Sequence, residues 1–236
     1  MKNATKNIAV YAVLAWSGVT FAQNSVPTEP RNVVQLSSSG AVEVQQDLLT
    51  LTLSSTKEGA EAGQVQMQLR QALDAGLAEA KKTALPGAME VRTGAFSLQP
   101  RYGREGKING WVGTAELVLE GRDFGRMGAT AGRISGLTIN SANFSLSRDL
   151  RNKVEAEAQE MAVERFKAKA TDIARSFGFA GYALREVSVS SADQGYAPRP
   201  RMVAMEMKAM AADAPVPLEA GKSSVVVQVN GSVQLK

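Results

Sequence analysis

The stretch SRDLRNKVEAEAQEMAVERFKAKATDIARSFGF, residues 147–179, decides how the rest of this chain must fold. Apolar residues recur in it every three or four positions, which predicts a long helix with one continuous apolar face. The predicted face consists of Leu150, Val154, Ala158, Ala162, Phe166, Ala170, Ile173 and Phe177. A helix of this kind needs a sheet to cover its apolar face, so the remaining segments are expected to supply strands.

Both ends of this helix carry recognisable capping residues. Asp149 is the predicted N-cap, because its carboxylate can accept the free N–H groups of the first turn. Gly178 is predicted to end the helix in the left-handed conformation, with Phe179 folding back onto Ile173 or Ala174.

A second amphipathic helix is predicted over residues 58–85, and Pro86 with Gly87 ends it. Its apolar stripe consists of Ala62, Val65, Leu69, Leu73, Leu77, Ala80 and Ala84. Residues 123–134 predict a third helix, which is short and interrupted by glycine.

The other periodic segments alternate as strands. We expect a tight turn at Gln46-Asp47 to join the first two strands, and a long hairpin with its turn at residues 103–107. The predicted strands are residues 33–46, 48–53, 89–102, 108–120, 137–146, 184–190 and 225–235. The order β-β-α-β-β-α-β-α-β-β predicts an α+β fold, an antiparallel sheet built from hairpins with the two long helices packed on it.

Residues 1–22 have the pattern of a secretory signal peptide. Lys2 and Lys6 precede an uncharged apolar run that is shorter than the roughly 20 residues needed to span a membrane. We therefore expect export to the periplasm, cleavage after Ala22 and no membrane segment in the mature chain. Residues 23–32 are a predicted flexible leader, and residues 33–236 a single domain with a loop rich in Met and Pro at 191–222.

Removing the signal peptide changes the charge balance. The signal holds two of the 27 basic residues and none of the 23 acidic ones, which leaves 25 against 23. The mature chain is nearly neutral, so its composition gives no reason to expect a nucleic-acid partner.

The chain contains no His and no Cys, which excludes Ser-His-Asp and Cys-His sites, thiol redox chemistry and His-ligated zinc. A carboxylate pair remains as one route to hydrolase activity, with candidates near strand ends: Asp47, Glu116, Glu120 and Asp123. A Ser–Lys dyad at residues 37–39 is the other route, but no Lys lies near them in sequence. We therefore predict a non-enzymatic protein with no catalytic, cofactor-binding or metal-binding residues.

Two further clusters have an ordinary structural interpretation. The glycine-rich residues 121–128 are predicted to end a strand and begin a short helix, in preference to a phosphate-binding loop. Basic and aromatic residues meet in the central hairpin, where the favoured interpretation is a solvated tip and the alternative is a patch for an anionic polymer. They are Arg92, Arg101, Arg104, Lys107, Tyr102 and Trp111.

Residues 199–217, here called the methionine segment, contain four of the nine methionines: Met202, Met205, Met207 and Met210. Flexible apolar side chains of this kind favour packing against the domain or a neighbouring subunit. The alternative is a Cu(I) or oxidant buffer built from the thioethers.

Several strings resemble the SIMPL-domain family of exported bacterial proteins, which includes periplasmic immunogenic and oxidative-stress defence proteins. They are Gly40-Ala41-Val42-Glu43-Val44 with Asp47, Arg92-Thr93, Pro100-Arg101-Tyr102, Gly110-Trp111, Phe144-Ser145-Leu146-Ser147, the helix ending at Gly178, and Gly221. The likeness covers residues 33–235. It implies a periplasmic α+β domain that self-associates, with no catalytic residues to transfer. Together with the missing catalytic groups, the resemblance favours a protein that acts by binding an envelope partner or by self-assembly, with a link to stress defence.

Overall fold

A computed structural model describes residues 31–192 and 218–236 of the 236-residue chain. Their elements follow the predicted order, and the α+β class is confirmed. The elements are β1 (Val33–Gln45), β2 (Leu48–Gly59), α1 (Ala62–Lys81), β3 (Met89–Tyr102), β4 (Ile108–Gly121), α2 (Phe124–Arg133), β5 (Thr138–Ser145), α3 (Arg148–Ser176), β6 (Tyr182–Ala192) and β7 (Lys222–Leu235).

The strands form two antiparallel sheets, one of three strands in the order β1-β7-β6 and one of four in the order β3-β4-β2-β5. The predicted hairpin of the first two strands is therefore wrong, because β1 pairs with β7 while β2 pairs with β4 and β5. The chain crosses from one sheet to the other at Gln46 and Asp47, and hydrogen bonds of Gln46 hold this crossing in place. Its backbone N–H donates to Gly221, and its side-chain amide donates to Phe144 O at 3.2 Å and to Ser223 Oγ at 2.9 Å.

The long hairpin of β3 and β4 is confirmed. The two strands pair along their length, and Gly103 N–H donates to Lys107 O at 2.8 Å across the turn. Leu117 and Leu119 of β4 both point into the core, as their spacing predicts.

Helix α3 packs on the three-stranded sheet, mainly against β1 and β7. Its buried face runs through Val154, Ala158, Ala162, Phe166, Ala170 and Ala174. The prediction is wrong at Phe177, which is 69% exposed because it caps the end of the helix. Gly40 of β1 permits a close approach, since a Cβ added there would lie 2.0 Å from the Ala158 carbonyl oxygen.

The ends of α3 confirm one predicted cap and correct the other. Ser147 is the N-cap in place of Asp149, and its Oγ accepts the N–H of Leu150 at 3.4 Å. Asp149 lies inside the first turn, where its negative charge still opposes the positive helix end. Gly178 has a φ of 78°, and Phe179 N–H donates to Ala174 O at 2.9 Å, so the predicted left-handed end is confirmed.

Helices α1 and α2 cover the four-stranded sheet. α1 begins at Ala62, later than predicted, because the preceding residues belong to β2 and Gly59 pairs with Trp111. It ends at Lys81, so the last predicted core position, Ala84, lies beyond it and is exposed. The core between these helices and the sheet includes Leu49, Leu51, Leu53, Leu117, Leu119, Met127 and Leu137.

Some predictions fall outside the described residues. They are the signal peptide at 1–22, most of the leader at 23–32, and the methionine segment at 199–217. Among the described residues, no helix is both long enough and apolar enough to cross a membrane.

Candidate functional site

Asp47 joins the crossing between the two sheets to the start of α3. Its Oδ1 accepts the backbone N–H of Ser147 at 2.7 Å, and its Oδ2 accepts the Ser147 hydroxyl at 2.6 Å. Partial burial raises the pKa of this carboxyl, but the hydrogen bonds from Ser147 and the nearby Arg122 outweigh burial and hold the pKa below its ordinary value. At neutral pH Asp47 is thus an ionised hydrogen-bond acceptor and does not offer a proton for acid catalysis.

Arg122 and Asp149 border an open cleft beside Asp47. Arg122 Nε lies 3.6 Å from Asp47 Oδ2, and Arg122 Nη2 donates to Asp149 Oδ2 at 3.3 Å. The cleft has a volume of about 310 Å³ and is lined by Gly87, Glu90, Glu120, Gly121, Arg122 and Asp149. Within residues 31–192 and 218–236, no group of three or more Asp or Glu is placed to hold a metal ion. The charges in this corner therefore pair with one another, and the contact that holds the start of α3 is the one between Asp47 and Ser147.

The other three carboxylate candidates each have a separate structural partner. Glu116 Oε2 accepts the N–H of Ala95 at 3.2 Å, and Glu120 Oε2 lies 3.7 Å from Arg92. Asp123 caps α2, and the hydrogen bond from the Arg126 N–H is the main cause that lowers its pKa. This cap agrees with the prediction that residues 121–128 end a strand and begin a short helix.

The serine-rich part of β1 does meet a lysine in space. Lys169 Nζ donates to the backbone carbonyl of Ser37 at 3.2 Å, while the Ser38 hydroxyl donates to Ala162 O at 2.7 Å. In a Ser–Lys dyad the amine would face the serine hydroxyl, so that it could take up the hydroxyl proton. Here the ammonium faces a carbonyl, and the contact serves packing between β1 and α3.

The basic residues of the central hairpin are largely neutralised by neighbours. Arg101 Nη1 donates to Glu58 Oε2 at 2.7 Å, and Lys107 Nζ donates to Glu105 Oε2 at 3.2 Å. Both pairs are exposed, which favours the solvated-tip interpretation over a patch for an anionic polymer.

One edge of the three-stranded sheet is blocked by α3. β1 pairs with β7 on one side only, and its other side faces cations of the helix. Arg165 Nη1 donates to Ser39 O at 2.7 Å, one helical turn from the contact between Lys169 and Ser37. These carbonyl oxygens already accept hydrogen bonds from charged side chains, which disfavours the pairing of another strand with β1 there.

The edges of the four-stranded sheet are protected in other ways. The pairing of β3 with β4 shifts between Thr93 and Phe96, and Pro100 lies further along the same strand. A bulge and a proline both prevent regular strand addition. β5, at the opposite edge, has eight residues, and a shift in its pairing with β2 between Thr52 and Leu53 leaves a regular run of five.

β6 is the fourth edge, and its regularly paired run is longer than any run of β3 or β5. Its pairing with β7 is regular from Glu186 to Ala192, after a shift between Leu184 and Glu186. No described strand pairs with its outer side. An edge whose N–H and C=O groups face no described strand is a template for pairing with another chain.

β6 also carries an exposed apolar strip, which consists of Leu184, Val187 and Val189. These residues are 58%, 40% and 46% exposed, respectively. They share the α3 side of the sheet, because their partners on β7 include the buried Val229 and Val233. The strip stays open because α3 lies over β1 and β7 and leaves the third strand mostly uncovered.

The sequence predicts this strand but not its exposure. The alternation of residues 184–190 indicates a strand with one apolar face, and such a face is normally buried. Whether a helix reaches far enough to cover the third strand depends on tertiary packing. The only local signal is the alternation of valine with serine and glutamate. A half-buried strand has the same alternation, so the pattern does not distinguish an exposed strip from a covered one.

Comparison with known proteins gives one family and two curated relatives. The family model of SIMPL, described as a protein of unknown function (DUF541), matches residues 34–233. The relatives are both named 26 kDa periplasmic immunogenic protein, one from Brucella melitensis biotype 1 and one from Brucella abortus strain S19. Each is 26% identical over 237 aligned positions, which cover 96% of this chain and 94% of the relative. The resemblance inferred from the sequence is thus confirmed.

Proposed function

This chain belongs to the SIMPL family, and we propose that it is a non-enzymatic periplasmic protein that acts by protein–protein association through the edge of β6. The association is with an envelope protein or with further copies of the chain. The single observation that carries the proposal is the contrast between β6, which keeps seven regularly paired residues, and the other three sheet edges, which are contacted by side chains of α3 or have shorter regular runs.

A periplasmic location is supported by the names of the two relatives and by the signal pattern of residues 1–22. The relatives match almost the whole chain, so the likeness is not restricted to a shared module. A role in stress defence remains part of the proposal and comes only from the family resemblance.

A non-enzymatic role is supported by the engagement of the candidate catalytic groups. Asp47 is held by Ser147, Asp123 caps α2, and Lys169 faces a backbone carbonyl. General acid–base or nucleophilic catalysis needs groups that point to a shared reacting atom. These groups instead form hydrogen bonds with other residues of the protein.

Both the backbone edge of β6 and its apolar side chains support association at this strand. The backbone edge provides hydrogen-bonding groups that an added strand would satisfy, and the apolar strip lies directly beside that edge. Covering the strip removes apolar surface from water, which adds a driving force that the hydrogen bonds alone do not give.

The proposal is tested by adding a charge to the strip. Val189→Lys places an ammonium on the partly exposed strip, where it disfavours both burial and strand addition. In multi-angle light scattering of the mature protein, alone and mixed with envelope extract fractions, we expect this variant to lose the higher-mass species formed by the unmodified protein.

Ala41→Lys is the matched control. Ala41 is an exposed residue of β1, the edge strand that α3 already guards, and it pairs with Val226 across the sheet. We expect this control to associate like the unmodified protein. If Val189→Lys and Ala41→Lys behave alike while both keep their secondary structure, β6 is not the association surface.

A further inference from the structure

The apolar strip and the open edge of β6 fit a second copy of the same strand, so we infer that two copies pair β6 to β6 in antiparallel orientation with Ser188 opposite Ser188. This inference rests on the proposed function and names the partner at the same edge. The paired sheets then form one continuous six-stranded sheet across a two-fold axis.

The two faces of β6 restrict the register. Glu186, Ser188 and Ser190 lie on the polar face, where they pair with Ser232, Asn230 and Gln228 of β7. A shift by a single residue would bring apolar side chains opposite polar ones, so only shifts by two residues keep both faces matched.

Among the matched registers, the one centred on Ser188 brings the valines together. It places Val187 opposite Val189 of the second copy, and the symmetric contact repeats on the other side of the axis. Directly opposite side chains in an antiparallel pair lie about 4.5–5.5 Å apart, close enough for both valines to lose exposed surface.

The charges and the bulge of β6 disfavour the registers centred nearer its beginning, and the register centred on Val189 would place Val187 opposite Ser191. With Ser188 at the axis, Glu186 faces Ser190 of the second copy and no like charges are opposed. The register centred on Glu186 would oppose two carboxylates. The register centred on Val187 would pair Arg185, where the ladder is irregular, with Val189.

Because side chains of α3 contact the edge of β1, the pair of copies does not grow further through that edge. β6 and β1 are the two edges of the three-stranded sheet, and Arg165 and Lys169 occupy carbonyl oxygens of β1. Strand addition through this sheet therefore ends after one β6–β6 contact and does not continue into a fibre.

The absence of cysteine from the chain allows a disulfide test of the register. Opposite residues of an antiparallel pair have Cα atoms about 4.5 or 5.5 Å apart, and both distances fall in the range that a disulfide bridges. Ser188→Cys of the mature protein should therefore give a covalent dimer under mild oxidation, read on a non-reducing gel.

Ser190→Cys is the matched control, because Ser190 is on the same strand and face. In the inferred register Ser190 lies opposite Glu186 of the second copy. The two Ser190 residues are therefore four strand positions apart, roughly 13 Å, which is too far for a disulfide. A mixture of tagged Glu186→Cys with untagged Ser190→Cys should instead give the mixed dimer, since these two positions oppose each other.

The outcomes separate the inference from the proposed function. A dimer from Ser188→Cys and the mixed pair, with background only from Ser190→Cys alone, supports the register. Equal dimer from Ser188→Cys and Ser190→Cys overturns it. If neither Ser188→Cys nor the mixed pair crosslinks although Val189→Lys abolishes association, β6 binds differently and the inference fails while the proposed function stands.

Discussion

Replacing Asp47 should reveal how much the crossing between the two sheets contributes to stability. In Asp47→Ala the N–H and the hydroxyl of Ser147 both lose an ionised acceptor, at 2.7 and 2.6 Å. A hydrogen bond to a charged group contributes about 1.5–3 kcal/mol when it is shielded from water. The Asp47 side chain is 29% exposed, so water replaces part of both bonds. We expect a total loss of about 2–3 kcal/mol, which lowers Tm by about 4–12 °C in a protein of this size.

Asp149→Ala is the matched control for this measurement. Its side chain is 80% exposed and contacts Arg122 at 3.3 Å, so its removal should change the free energy of unfolding by less than about 0.5 kcal/mol. Thermal unfolding followed by circular dichroism at neutral pH compares the two variants. If Asp47→Ala is no less stable than Asp149→Ala, the crossing is not held by Asp47 and our account of it is wrong.

The same pair of proteins gives a pH test. The pKa of Asp47 is lowered in the folded chain, from an ordinary value of 3.8. Its contribution to stability is therefore complete above that ordinary value and is lost as the pH falls through the lower, folded pKa. The Tm difference between the unmodified protein and Asp47→Ala should be constant from pH 7 to pH 5 and shrink below pH 4.

Three other predictions use simpler measurements. Phe166→Ala should cost about 3–5 kcal/mol in urea unfolding, because Phe166 is buried in the α3 core, whereas Phe177→Ala should cost little. Gly40→Ala should destabilise by about 1–3 kcal/mol or more, because the added methyl meets the backbone of α3, whereas Gly63→Ala in α1 has free space and should be neutral or stabilising. Replacing the four methionines of the methionine segment by leucine should leave folding and assembly intact. A loss of Cu(I) affinity or oxidant resistance with unchanged structure would favour the metal alternative.

Local patterns predict the elements of this fold well because each pattern is read within a few residues. The hairpin of β3 and β4 and the left-handed residue Gly178 follow from alternation, turn length and a glycine past the last apolar position. The N-cap shows the limit of such reasoning. Ser147 and Asp149 are both suitable capping residues, and the contact with Asp47, which is distant in sequence, accompanies Ser147 in that position.

The pairing of strands could not be predicted in the same way. β1 and β2 both alternate and are separated by two residues, which is the spacing of a hairpin. The decision between pairing with each other and pairing elsewhere depends on β7, near the other end of the chain, and on the bonds of Gln46 to Gly221 and Ser223. Neither is visible in the local sequence.

The candidate site lies beyond sequence reasoning for a related reason. The alternation predicts that Val187 and Val189 share a face, but only the position of α3 leaves that face exposed. The contacts that cover the edge of β1 likewise come from Arg165 and Lys169, which lie far along the chain from that strand.

Hydrogen exchange at increasing protein concentration tests the central claim, association through β6, most directly. Amides of Glu186–Ala192 that point to the open edge should exchange fast in dilute solution and become protected as the concentration rises. Amides at residues 37–39 of the guarded β1 should exchange at the same rate throughout. Protection that rises in β6 and not in β1 is the result that we predict. Exchange in β6 that is independent of concentration and of added envelope proteins, or protection that rises in β1, would contradict the account.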